Sequence, residues 1–430
     1  MFKNNLIKIV TANKRHINSS FFLFCINFIN FVYPLLISPF IIKKCGLEGF
    51  GLVILFQSIS IFIASITDYG FNINGTREIT FNQDNNTFVN RHFFVVSYTK
   101  CILLIGAILL SLLIYIFFSK ASEYSFLYFS SLLILIGRAF NPLWILRSLH
   151  KIKYFFYFFI LFKVIAFVTI YIFLKDQSSL FLVNMTIGLS DFLTCLFSII
   201  VLFFSLKWEF FRPDFVAVKN EILTGFSIFI QVVSINANAY LNPMILGFFV
   251  NEYSLGIYCV VEKIILMVKF CGSFIIQSIF PKACELAAKN LSSYKIFARN
   301  LFLFLVFSML AAGFVLTGFS DLIVSFFLKN NRSACQELLI YSAWIPLVVG
   351  LNMVPYMTFM VFNKQNKTTS VLIISVVLNI IIAGILSKNF GIYGMTAGIY
   401  SIELFISISL WAILTVKFPF LNFINNDKKA

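Results

Sequence analysis

Charged side chains are scarce in this chain of 430 residues: Asp, Glu, Lys and Arg make up 12% of it, against 60% apolar residues. A soluble fold carries about 25% charged residues, so that class is excluded. Acidic residues are the scarcer sign, 17 against 33 basic, for a formal charge of +16. The basic excess is scattered between apolar blocks rather than gathered on a polar domain, which excludes disorder and a nucleic-acid-binding module. Only three histidines occur, His16, His92 and His150, all outside those blocks. They leave no intramembrane base for acyl transfer and no histidine pair for a metal, so no catalytic, cofactor or metal site is expected. None of the eight cysteines has C-x-x-C spacing, and they read as small apolar fillers. A Walker A glycine loop is also lacking, so this chain is not expected to hydrolyse ATP.

Long apolar runs fill the sequence, with a mean hydropathy of +0.94. A bilayer core about 30 Å thick needs about 20 apolar residues per helix. The charged residues punctuate twelve such blocks: 20–42, 49–70, 93–118, 124–147, 152–174, 179–206, 222–249, 254–281, 296–318, 334–362, 368–387 and 391–416. With an even number of spans, both termini share one side of the membrane. The N-terminus, which holds Lys3, Lys8, Lys14 and Arg15, the even-numbered loops and the C-terminal tail carry 21 Lys and Arg against 7 in the odd-numbered loops. Both termini are therefore expected in the cytoplasm. Only Cys45 and Cys335 then face the oxidising side together. The loops are too short for a separate catalytic domain, and they lack the long outer loop expected of a glycan polymerase. Lipid headgroups account for the basic loops without any acidic partner.

The first span laid on the seventh at an offset of 204 places Asn27, Asn30, Pro34, Ser38 and Pro39 on Gln231, Ser234, Asn238, Asn242 and Pro243. Further along, Pro142 and Lys151 fall on Pro355 and Lys364, and Asp191 falls on Glu403. The pattern predicts an all-α integral membrane protein of about twelve transmembrane helices. These form two parallel six-helix halves related by a pseudo-two-fold axis along the membrane normal. The expected divisions are an N-terminal half over 1–206, a cytoplasmic linker over 207–221 and a C-terminal half over 222–430.

Eight ionic residues fall inside spans: Lys100, Arg138, Lys163, Asp191, Glu262, Lys263, Lys269 and Glu403. Leaving all of them against lipid would cost about 20 to 28 kcal/mol, so most must face a protein-lined or wet interior. Lys100, near a span edge, is expected to snorkel to the headgroups. Five of the eight are basic, which points to an anionic passenger. Arg138, Lys163 and Lys269 are the candidate anion contacts. Asn27, Asn30, Gln57, Gln231, Asn238 and Asn242 share faces able to bond sugar hydroxyls, although such residues also bond neighbouring helices. Asp191, Glu262 and Glu403 are the candidate coupling or gating carboxylates, with a proton or Na+ as the coupling ion. Asp68, Arg77 and Glu78 form a candidate charged latch at the cytoplasmic end of spans two and three, where an ordinary solvated cluster fits as well.

Two stretches between spans one and three, SPFIIKKCGLEGFG (Ser38 to Gly51) and TDYGFNINGTRE (Thr67 to Glu78), resemble signature regions of Wzx-type O-antigen flippases. These belong to the polysaccharide-transport branch of the MATE-like (MOP) exporter superfamily. Asn141 to Trp144, NPLW, is similar to that family's Pro-x-Trp, whereas Arg147, Ser148, Leu149 and His150 depart from the Gln-Gly that often follows. The resemblance implies a MATE-like fold in the bacterial inner membrane. It also implies movement of an undecaprenyl-pyrophosphate-linked oligosaccharide from the cytoplasmic to the periplasmic leaflet without ATP, with a polysaccharide polymerase as a further partner. The residues alone leave open another exporter of the same fold, for a drug-like cation or another lipid-linked precursor, and a membrane-embedded glycosyl or acyl transferase.

Overall fold

A computed structural model describes residues 2–329 and 332–423, with side chains at 19, 21–329 and 332–423. The side chains of Lys3, Lys8, Lys14 and Arg15, and the tail after Phe423, lie outside this description. The described chain is all-helical. The first elements are α1 (Phe2–Asp68), α2 (Phe71–Phe81), α3 (Asn86–Phe117), α4 (Ser119–Glu123), α5 (Ser125–Ala139), α6 (Leu143–Ser148), α7 (Ile152–Phe173) and α8 (Phe181–Leu206). They are followed by α9 (Phe215–Gly247), α10 (Glu252–Lys289), α11 (Leu291–Gly318), α12 (Ser320–Phe327), α13 (Ser333–Ser342), α14 (Ile345–Val361) and α15 (Gln365–Lys417).

Span boundaries appear as backbone breaks with identifiable causes. α1 turns at Gly46 (φ 74°, ψ 178°) and α15 at Gly391 (φ 58°, ψ −131°), conformations that residues with a Cβ rarely adopt. Each of these long elements is therefore two helices, which brings the membrane-length segments to about twelve. Nine elements or merged elements among the described residues are long and apolar enough to cross a membrane. The segment expected at 254–281 lies in α10, whose Glu262, Lys263 and Lys269 dilute its apolar character. The fourth span is broken between α5 and α6 at Pro142, where Asn141 Oδ1 accepts a 2.9 Å bond from the Leu143 N–H.

The helices are built inside out, as lipid requires. On α3, Ile105, Leu109, Leu112 and Ile116 form an exposed stripe at i, i+4, i+7, i+11, while Lys100, Ala107 and Ser111 are buried on the opposite side. Large aliphatics outside and small or polar residues inside suit a solvent of hydrocarbon. Lys100 is thus not at the headgroups: it is 3% exposed, its Nζ 5.8 Å from the Phe71 ring, and its Coulomb partner is Asp68. The position along the span was right for snorkelling, but the face was wrong.

The chain forms two compact units, Met1–Gly49 with Val53–Asn236, and Phe50–Leu52 with Ala237–Ala430. In the first unit α8 packs against α5 and α7. In the second, α14 packs against α10, α11 and α15. One turn occurs in both. After α6, His150 has a φ of 54° and the Lys151 N–H donates to Leu146 O at 2.8 Å; after α14, Asn363 has a φ of 54° and the Lys364 N–H donates to Phe359 O at 2.7 Å. This is a helix end closed by a left-handed residue and a six-residue backbone bond.

Candidate functional site

Two glycines bring α5 and α8 together. A Cβ on Gly188 would lie 2.6 Å from Leu133 C and Ile134 N, and one on Gly137 would lie 2.9 Å from Gly188 O. Backbones this close carry the next residues into contact. Arg138 Nε lies 3.9 Å from Asp191 Oδ2, and α7 presents Lys163 Nζ to Asp191 Oδ1 at 2.7 Å. The Lys163 ammonium also sits 5.1 Å from the Tyr33 ring and 5.6 Å from that of Phe159. Its side chain is 8% exposed against 40% for Arg138, so lysine is the buried counterion and arginine the accessible cation.

Asp191 and Arg138 line a cavity of about 260 Å³ in the first unit. Its other polar walls include Asn27, Asn30, Asp68, Asn72, Asn141 and Asn236, with Ile26, Phe155 and Phe159 among the apolar ones. Asp68 is counterbalanced by Lys100 and accepts a 2.7 Å bond from Asn72 Nδ2. Among the described residues lining the cavity, Arg138 is the one cation, and the lining carboxylates Asp68 and Asp191 also face Lys100 and Lys163. The cationic surplus expected for the interior is thus narrowed here to one guanidinium beside two lysine-matched carboxylates.

The other expected residues are distributed as follows. Gln57 Nε2 donates to Asn184 Oδ1 at 2.8 Å, and Asn184 Nδ2 donates in turn to Ser131 Oγ at 2.7 Å. Asn238 donates to Ser375 at 3.1 Å, and Asn242 accepts from Asn379 at 3.0 Å, so these amides join helices. Gln231 is half-buried on α9. In the second unit Lys269 Nζ lies 2.8 Å from Glu403 Oε1, while Asn352 Nδ2 donates to Glu403 Oε2 at 3.3 Å. Glu262 accepts a 2.9 Å bond from the Tyr258 hydroxyl. Each unit therefore holds an intramembrane carboxylate tied to a lysine, Asp191 of α8 to Lys163 of α7 and Glu403 of α15 to Lys269 of α10, and near a polar side chain, Arg138 of α5 or Asn352 of α14.

The latch expected of Asp68, Arg77 and Glu78 is not one cluster. Asp68 pairs as above, Glu78 Oε2 lies 3.4 Å from His92 Nδ1, and Arg77 is exposed. The turn at Tyr69 and Gly70 separates Asp68 from α2, and Arg77 and Glu78, one residue apart on that helix, point about 100° from each other. Cys45 and Cys335 are both buried free thiols. Sequence reasoning missed Asn72, Asn141 and Asn236 in the cavity wall, and Asn184. The last was findable, since it precedes Asp191 by seven residues and so shares its helix face.

This architecture is MATE-like. It aligns with the lipid II flippase MurJ in an inward closed conformation at a TM-score of 0.66 and 15% identity, covering 95% of this chain and 89% of that one. It aligns with an inward-facing multidrug resistance MATE family transporter of the MOP superfamily at 0.62 and 14%, covering 90% and 98%. At such identities the likeness speaks for the fold. The family follows from sequence: residues 17–287 match the family described as "Polysaccharide biosynthesis protein", and the chain belongs to it. It is an all-α membrane protein of that family with a MATE-like fold. A "Putative O-antigen transporter" of Shigella dysenteriae is 22% identical over 392 residues, 89% of this chain and 96% of that protein.

Proposed function

We propose that the protein is a flippase. It moves undecaprenyl-pyrophosphate-linked O-antigen, or a similar surface-polysaccharide repeat unit, from the cytoplasmic to the periplasmic leaflet of the bacterial inner membrane. The carrying observation is the cavity in which Arg138 is, among the described residues, the one lining cation, surrounded by Asn27, Asn30, Asn72, Asn141 and Asn236. A guanidinium offers a planar donor fork to phosphate oxygens, and amides both donate to and accept from sugar hydroxyls. Its volume of about 260 Å³ leaves room for the phosphate end of such a substrate. The lipid tail and distal sugars then lie outside it.

Alternating access of two parallel six-helix halves, over 1–206 and 222–430 with 207–221 as linker, supplies the movement. The matching turns at Lys151 and Lys364, and the corresponding positions of the carboxylates Asp191 and Glu403, support that repeat. Asp191, Glu262 and Glu403 are the groups through which a proton or Na+ would couple. Lys163 and Lys269 then act through their carboxylates rather than on the passenger. A cationic drug as substrate is disfavoured by the same geometry, because Lys163 already occupies Asp191.

The test is a chromosomal Arg138→Ala variant with lipid-linked glycan followed by radiolabel. Surface O-antigen should fall at least tenfold at unchanged protein level, with complete single repeat units accumulating on the inner leaflet, and Arg138→Lys should restore part of it. Normal export by Arg138→Ala would remove the anion site. Incomplete or unextended glycan would indicate a transferase instead.

A further inference from the structure

The sequence shows no metal motif, yet the first unit gathers Glu78, His92 and Glu221 from α2, α3 and α9 into one cluster. One ligand atom from each lies within 4.8 Å of the other two, and Glu78 Oε2 is 3.4 Å from His92 Nδ1. That separation is the edge of a tetrahedron about an ion with bonds of about 2.1 Å. His92 and Glu221 are only 7% and 8% exposed, and His92 Nε2 and Glu221 Oε1 are enclosed without a hydrogen-bond partner. Among the described residues no Lys or Arg pairs with either carboxylate: Arg77 is exposed and Arg91 lies 5.3 Å from the Phe211 ring. Two acids and an imidazole gathered without a Lys or Arg, His92 and Glu221 buried and Glu78 partly exposed, are mutually unfavourable unless a proton or a metal cation joins them.

The imidazole is also held in place. Phe88 lies parallel to it at 5.8 Å and 5°, and Trp144 meets it edge-on at 5.9 Å and 82°. Aromatic walls on a nitrogen ligand fix its direction, as a metal site needs. We infer that Glu78, His92 and Glu221 bind a divalent transition-metal ion, with Zn2+ as the best-matched probe. The nitrogen donor disfavours Ca2+ and Mg2+, which prefer oxygen alone, and three protein ligands leave one tetrahedral position for water. Because its ligands come from three helices of one unit, the ion would clamp the segment after the TDYGF turn to α3 and to the start of α9. This site stands apart from the flippase reading and does not depend on it.

The test uses the full-length protein in detergent, without an affinity tag, stripped by chelator and titrated with ZnCl2 by calorimetry. One Zn2+ should bind per chain with a micromolar or tighter Kd. His92→Asn and Glu221→Gln should each weaken it at least tenfold while remaining monodisperse on size exclusion. Co2+ serves as a second probe on the unmodified protein, so a variant that misfolds does not leave the question open. The expected visible spectrum has ligand-field bands without thiolate charge transfer. Three results overturn the inference: no saturable Zn2+ binding, binding unchanged in both variants, or a Co2+–thiolate band placing the ion on cysteine.

Discussion

Asp191 is reached by two cations of different character. Lys163 is the buried one, and removing it alone leaves a carboxylate with a weakened counterion in a half-closed site. Breaking a buried pair in this way costs about 3–5 kcal/mol, whereas neutralising both partners costs far less. Lys163→Ala should therefore unfold in detergent at a clearly lower temperature than the protein with both Lys163→Met and Asp191→Asn. Equal losses would mean the pair is not coupled. If Asp191 also couples transport, the double variant should be stable yet inactive in O-antigen display. That Arg138, Lys163 and Asp191 would need partners was legible from depth within their spans, since charge far from either headgroup layer needs a reason. Their division of labour was not, because it depends on which helix faces which. Lys100 shows the limit: its distance from the span edge suggested snorkelling, and only the packing of α3 turned it towards Asp68.

At the scale of elements, the close crossing of α5 and α8 sets the geometry of the site. Gly188 has no room for a side chain against the backbone at Leu133 and Ile134. Gly188→Leu should push the two helices apart, cost about 1–3 kcal/mol as overpacking does, and draw Arg138 away from Asp191. The expected readout is a loss of O-antigen export larger than that of Arg138→Lys, accompanied by a lower unfolding temperature. Export equal to wild type would show that the crossing is not needed to place Arg138. Helix existence and type were readable from the long apolar runs, and the segment breaks near Lys43, Lys44 and Lys388 were marked by charge. The exact turning points, Gly46 and Gly391, needed backbone coordinates, because many other glycines in the chain sit inside uninterrupted helices.

At the scale of the whole molecule, the distribution of basic residues among loops makes a direct prediction about orientation. A green fluorescent protein fused to the C-terminus should be fluorescent and an alkaline phosphatase fused there inactive, while phosphatase inserted in the loop after Phe173 should be active. The opposite pattern would reverse the transport direction proposed above. Composition, hydropathy and charge asymmetry determined by themselves that this is a multi-spanning all-α membrane protein, since lipid penalises unpaired backbone groups and charge whatever the tertiary arrangement. Three short motifs were enough to suggest the family. Tertiary structure alone decided which polar residues meet: Asn27 and Asn30 at a cavity, Gln57 and Asn242 on neighbouring helices, and Glu78 with His92 and Glu221. Glu78 and Glu221, 143 positions apart in sequence, become neighbours only when several helices pack together, and periodicity along one helix carries no information about the face of another.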